Sequence, residues 1–262
     1  ICALAAGNHA MIKISSSSSN FGRILEKALS EAFPQELVSV TNGGGAISDA
    51  FCRLAFDKLI FTGSTNVGKT VMSAAAENLV PLILELGGKS PVLVHPSIHL
   101  RDVAQRIAAG KLWNAGQTCV APDYMFLPKG KTAEFIEHFR ECVEEMYPDI
   151  LHNPDYTSII NDRQYNRLQG YLENAREHGA QVVEVNPAHE TFSDTRKVPP
   201  TLLTGVTPDM RIMQEEIFGP LLPIMEYDQI DDVIEFINSR PRPLALYYFD
   251  FDQARADYVA QR

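Results

Sequence analysis

The sequence predicts an α/β fold in which short parallel strands alternate with amphipathic helices. Three observations carry this reading. Short aliphatic runs, such as Ala10-Met-Ile-Lys-Ile14 and Val80-Pro-Leu-Ile-Leu84, read as strands. Stretches with apolar residues at helical spacing lie between them. Gly-rich turns, such as Asn42-Gly-Gly-Gly45, mark the joints. A chain of 262 residues can bury one large core or two modest ones. Its 45% hydrophobic and 21% charged content is ordinary for a globular protein.

The elements follow in order. Ala10 to Ile14 is a strand, and the serine run 15–19 reads as a flexible loop after it. Asn20 to Phe33 is a helix with Phe21, Ile24, Leu25, Ala28 and Leu29 on one face. Leu37 to Val40 is a strand, Ala46 to Ala55 a helix and Lys58 to Phe61 a strand. Val67 to Glu77 is a helix and Val80 to Leu84 a strand. This βαβαβ rhythm implies a parallel sheet covered on both faces. From Pro91 the pattern restarts. Leu100 to Trp113, Lys131 to Met146, Asp162 to His178 and Asp231 to Ser239 are helices. Gln181 to Val185, Leu221 to Tyr227 and Leu244 to Phe249 are strands. No internal repeat is visible.

Composition excludes several classes. A net charge of −10 argues against a duplex nucleic-acid partner, whose phosphates demand a basic face. No apolar run reaches the roughly 18 residues of a membrane helix. The start, Ile1-Cys-Ala-Leu-Ala-Ala6, has neither an initiator Met nor a basic leader, so it reads as the interior of a longer protein. The four cysteines, Cys2, Cys52, Cys119 and Cys142, lack C-x-x-C or metal-like spacing and read as free thiols. Cys2, Cys52 and Cys142 read as small buried hydrophobes. The seven histidines are scattered, and no metal site is expected.

Gly63-Ser-Thr-Asn-Val-Gly68-Lys69-Thr70 follows a strand and opens a helix. Taken alone it fits G-x-x-x-x-G-K-[ST], a P-loop that would cradle ATP phosphates and place Thr70 on magnesium. That reading also needs a later apolar strand ending in Asp, and Leu82-Ile-Leu-Glu85 is too near. A plain βα turn is the bland alternative. The third reading has Ser64 and the helix N-terminus binding a dinucleotide pyrophosphate.

Three further segments discriminate among these. They are Leu84-Glu85-Leu86-Gly87-Gly88-Lys89, then Lys111-Leu-Trp-Asn-Ala-Gly-Gln-Thr-Cys119-Val-Ala-Pro-Asp-Tyr124, then Gln214-Glu-Glu216-Ile-Phe218-Gly-Pro220. In this order they resemble the aldehyde dehydrogenase superfamily, and the wording around Cys119 is similar to its class 3-like branch, which includes coniferyl aldehyde dehydrogenases. The resemblance runs over nearly the whole chain. It implies a Rossmann-like, parallel-sheet nucleotide-binding part over residues 1–86 and an α/β catalytic domain over 87–262, both truncated. The family's oxyanion-hole Asn lies upstream of Ile1, and its Gly-rich segment beyond the catalytic half is absent. The isolated fragment is therefore expected to be inactive.

The resemblance also implies roles. Cys119 is the nucleophile and Glu85 the general base. Gly63, Ser64 and Gly68 form the pyrophosphate turn. Glu216 and Phe218 bond and pack the nicotinamide riboside. Lys13 matches the lysine that bonds the adenosine ribose. Two departures occur there: Ile14 replaces Pro, and Ser16 replaces the Glu that holds the ribose hydroxyls. A carboxylate repels a 2′-phosphate and a serine can donate to one, so both NAD and NADP are admitted. The expected reaction is oxidation of a small-molecule aldehyde, aromatic and hydroxycinnamaldehyde-type first, to the carboxylic acid. The resemblance further implies a cytoplasmic protein, homo-oligomeric at full length, without nucleic-acid or membrane partners. The alternatives are a P-loop nucleotide hydrolase, a non-catalytic fragment with the same fold, or an esterase-like or acylating relative using Cys119.

Overall fold

A computed structural model describes residues 1–262. The chain divides into two compact units, Ile1–Leu86 and Gly87–Arg262. No helix is long and apolar enough to cross a membrane.

The first unit runs α1 (Cys2–Ala5), β1 (Ala10–Lys13), a 3-10 turn (Ser16–Ser18), α2 (Ser19–Ala32) and β2 (Val38–Thr41). It continues with α3 (Gly45–Cys52), β3 (Leu59–Gly63), α4 (Thr65–Ala76) and β4 (Leu82–Leu86). The expected single parallel sheet is instead two parallel ladders, β1 with β2 and β3 with β4. Apolar periodicity sets which face of a strand is buried, not which neighbour completes its hydrogen bonds. A small core of Phe51, Leu59, Val71, Ala75 and Val80 joins α3 and α4 to the second ladder. The serine run is not a loop. Ser15 accepts from the Ser17 amide and caps the 3-10 turn, and Ser19 begins α2. The apolar stripe of α2 is only partly used: Gly22 is buried and Leu25 and Leu29 half-buried, while Phe21, Ile24 and Ala28 are exposed.

The second unit contains β5 (Pro91–Val94), α5 (Leu100–Leu112), β6 (Tyr124–Pro128), α6 (Thr132–Met146), α7 (Asp162–Glu177) and β7 (Gln181–Glu184). It ends with β8 (Thr201–Thr204), α8 (Arg211–Gln214), β9 (Leu221–Tyr227), α9 (Ile230–Asn238), β10 (Tyr247–Phe249) and α10 (Gln253–Gln261). Six strands form one sheet in the order β10-β5-β6-β9-β8-β7, parallel except where β7 meets β8. Alternation along the strands feeds two cores. Leu93, Tyr124, Phe126, Leu203 and Leu221 enter a cluster that includes residues of α7, α8 and α9. Val92, Val94, Met125, Leu127, Leu202 and Leu222 enter the other, with residues of α5 and α6. Successive strand residues point to opposite faces, so a sheet buried on both sides needs apolar residues at every position. That is why periodicity reveals neither β5, β6 nor β8 as strands: their runs do not alternate. Leu244 and Leu246 are exposed, and β10 begins only at Tyr247.

Candidate active site

In the first unit, β3 runs into α4 at Gly63-Ser64. Ser64 is the N-cap, in extended backbone, and its side chain accepts from the Val67 amide at 3.5 Å. The helix starts at Thr65, two residues before the expected Val67, because a capping serine outweighs the apolar spacing. This overturns the P-loop reading. That loop keeps its amides free until the lysine, whereas here Gly68 already donates to the Ser64 carbonyl at 2.8 Å. Gly68 is buried, and a Cβ there would meet the Leu86 side chain at 2.8 Å. Its missing side chain lets α4 lie close on β4. Lys13 closes β1, half-buried, opposite Thr41, and Ser16 opens the exposed 3-10 turn beyond it.

Glu85 lies within β4 rather than at a chain reversal, since the strand continues to Leu86 and Glu85 pairs with Thr62. Alternation exposes it: Ile83 and Glu85 face outward while Leu82, Leu84 and Leu86 are half-buried.

In the second unit, α5 ends at Leu112 and the chain turns sharply through Trp113–Gly116. Asn114 and Ala115 both hold φ of +52°, and Gly116 holds +73°. Left-handed backbone costs a non-glycine residue roughly 1–3 kcal/mol and persists only where surroundings enforce it. Gln117 does much of the enforcing. Its side chain donates to the carbonyls of Asn114 and Ser158, both at 3.1 Å, and accepts from the Ile160 amide at 2.9 Å. Beyond this brace Cys119 stands exposed on the turn before β6. Of the other thiols, only Cys142 is buried; Cys52 is half-buried and Cys2 exposed, so Cys2 is not the small core residue expected. Cys2 sits on a one-turn helix with no buried residue, where packing does not enforce burial.

Glu216 and Phe218 follow the short helix α8. Glu216 Oε1 accepts from the Gly88 amide at 3.1 Å, and a Cβ on Gly87 would overlap the same carboxylate. Burial raises the Glu216 carboxyl above the usual range, opposed by the Gly88 amide. Phe218 is left-handed, φ +50°, and partly exposed. A Cβ on Gly116 would run into the Gly219 carbonyl, so the Cys119 turn and the Glu216 segment are backed against each other. The structure thus brings Gly63, Ser64 and Gly68 to one junction in the first unit. It brings the Cys119 turn and the Glu216 segment together in the second.

Several residues of this site went unread in the sequence. Lys89 Nζ donates to Asp123 and to the carbonyls of Ile212 and Glu215, at 2.8 and 2.9 Å. Asp123 also accepts from the Ile217 amide at 2.8 Å. Arg167 donates to the carbonyls of Glu216 and Ile217, each at 2.8 Å, and Tyr171 donates to the Glu215 carboxylate at 2.8 Å. Arg240 donates to the Met213 carbonyl. The only signal in the sequence was a charge at Lys89 and at Asp123 inside otherwise small or apolar wording. No group of three or more His, Cys, Asp or Glu is placed to hold a metal ion.

Lys111, at the end of α5, is 1% exposed, and burial pushes its ammonium down to about 8 from 10.5. The unfolded chain therefore binds more protons between those values, and wild-type stability rises with pH across that window. Lys111→Met is expected to stabilise the fold at pH 7 by up to about 3 kcal/mol. The gain shrinks as pH climbs from 8 towards 10.5. Denaturant melts of both proteins at pH 7 and pH 10 check this; an equal difference at both pH values would contradict it.

Each unit is built of helices and mainly parallel strands, an α/β architecture. The chain belongs to the aldehyde dehydrogenase family, whose model matches residues 1–262. It is 51% identical over 257 residues to a Pseudomonas aeruginosa protein named "Probable coniferyl aldehyde dehydrogenase", covering 98% of this chain and 53% of that one. Staphylococcus aureus AldH, solved in a substrate-bound state, matches with a TM-score of 0.92 and 41% identity, over 99% of this chain and 56% of that one. Mycobacterium tuberculosis aldehyde dehydrogenase complexed with NAD+ matches with a TM-score of 0.87 and 29% identity, over 99% and 55%. The chain spans about half the length of these relatives.

Proposed function

We propose that the protein oxidises an aldehyde to the carboxylic acid with NAD or NADP, through a thiohemiacetal and a thioester on Cys119. The observation that carries this is the exposed Cys119 on a strained, Gln117-braced turn backed against the Glu216 segment. The substrate reading, coniferyl or another aromatic aldehyde, rests on the Pseudomonas relative. In the same reading residues 1–86 belong to the NAD(P)-binding domain and 87–262 to the catalytic domain. A cytoplasmic setting and homo-oligomeric assembly at full length belong to it as well.

The residues present fit a dinucleotide. The first amides of α4 have no intrahelical acceptor, Ser64 satisfies only that of Val67, and the helix end carries partial positive charge for a pyrophosphate. Lys13 and Ser16 would hold the adenosine ribose, and Glu216 and Phe218 the nicotinamide riboside. When bound, the oxidised nicotinamide supplies the hydride acceptor.

Cys119 as thiolate adds to the aldehyde carbon, and its own backbone N–H helps stabilise the resulting oxyanion. Collapse of the oxyanion with loss of hydride leaves the thioester. Glu85 takes a proton from water as the water attacks the thioester carbon. The Cys119 thiolate departs, and the acid is released. The test is addition of coniferyl aldehyde and other aldehydes to the intact protein with NAD or NADP. Reduced nicotinamide and the acid should appear together; neither product with any aldehyde would reject the reading. Acid formed without cofactor, from an ester, would favour the hydrolase alternative.

Ser16→Glu is expected to move preference from NADP towards NAD. The new carboxylate would accept from the ribose hydroxyls and repel a 2′-phosphate. The ratio of kcat/KM for the two cofactors reads this directly. An unchanged ratio would place Ser16 away from the ribose.

A further inference from the structure

We propose that Lys89 and Asp123 act as a positioning pair that sets the direction of the Glu216 carboxylate towards the nicotinamide riboside. The inference rests on the cofactor reading above and deepens it. Lys89 directly follows Gly87-Gly88, and Asp123 lies between the Cys119 turn and β6. Their side chains are 12% and 4% exposed. Every proton of the ammonium has an acceptor: Asp123, the Ile212 carbonyl and the Glu215 carbonyl. Both carboxylate oxygens of Asp123 are engaged, one by Lys89 and one by the Ile217 amide.

The geometry singles out Glu216. The carbonyl before it is held by Lys89, its own carbonyl by Arg167, and the amide after it by Asp123. With both flanking peptide groups held, the Glu216 Cα–Cβ direction is set, and the carboxylate meets the Gly88 amide. A buried ion pair adds little net stability compared with apolar residues of the same volume. Here each charge is spent on backbone groups of a single segment, which buys direction. Lys89 also lies 5.5 Å from the centre of the Tyr124 ring, so apolar contact around it was available to a different side chain. Neither residue touches a reacting atom in this scheme; both act through Glu216.

The experiment is a double-mutant cycle on the intact protein. The dissociation constants of NADH and NADPH are measured by equilibrium fluorescence titration, with kcat and cofactor KM alongside. Lys89→Met is expected to weaken binding of the preferred cofactor about 10-fold in the wild-type background. In a Glu216→Gln background the same change should weaken it less than about 2-fold, because residues acting through one group are non-additive. Equal fold-changes in both backgrounds, or no change in either, would overturn the pairing. If Lys89→Met fails to fold, Asp123→Asn serves in its place: it keeps the volume and an acceptor for Ile217 while removing the charge, and the same non-additivity is required. A wild-type protein that binds neither cofactor would overturn the dehydrogenase reading, and this inference with it. Wild-type binding with additive mutants would overturn the positioning pair alone.

Discussion

Cys119→Ala is expected to abolish aldehyde oxidation in the intact protein while leaving cofactor binding nearly unchanged. The thiol is the only protein group in this scheme that bonds to substrate carbon, and alanine offers no nucleophile. Loss of a covalent nucleophile can cost on the order of 10⁶ in kcat. The substitution sits on an exposed turn, so little packing is lost. The left-handed residues Asn114 and Ala115 and the Gln117 brace remain in place. Cofactor titration should therefore match the wild type while steady-state oxidation falls to background. Turnover above a few per cent of wild type would remove Cys119 from its role.

Glu85→Gln is expected to separate the two halves of the reaction. Hydride loss needs only the Cys119 adduct and the acceptor, so the first turnover should proceed. Water attack on the thioester loses its base, and general-base help is typically worth roughly 10² to 10⁴-fold. Rapid mixing should show a burst of reduced cofactor followed by slow steady turnover. Glu85 is exposed on the outward face of β4, and glutamine keeps its size, so the ladder with β3 should be undisturbed. An unchanged steady-state rate would assign base work elsewhere.

Cys119 and Lys89 differ in how far along the chain their surroundings reach. The turn that carries Cys119 leaves a local trace, because it is built by near neighbours in the chain, Asn114 to Gln117. Lys89 closes the Leu84–Lys89 segment, yet its partners Ile212, Glu215 and Asp123 come from distant parts of the chain. No local pattern announces a cation whose function is to hold remote carbonyls. The start of α4 is an intermediate case. Ser64 carried the capping signal, but apolar spacing placed the start at Val67, and the cap prevailed.

By itself, the sequence determined what depends on near neighbours. It determined the alternation of strands and helices, the span of β9, the Gly63-Ser64-Gly68 junction and the family to which the chain belongs. Tertiary structure alone decided which strands share a ladder and that β5, β6 and β8 are strands buried on both faces. It also decided that Lys111 is a buried cation and that Lys89, Asp123 and Arg167 converge on one segment. The physical reason is range. Capping, turn chemistry and amphipathic spacing act over a few residues and leave a local trace. Strand pairing, burial on a second face and the satisfaction of buried charge are settled by groups far apart in the chain, which only folding brings within hydrogen-bond reach.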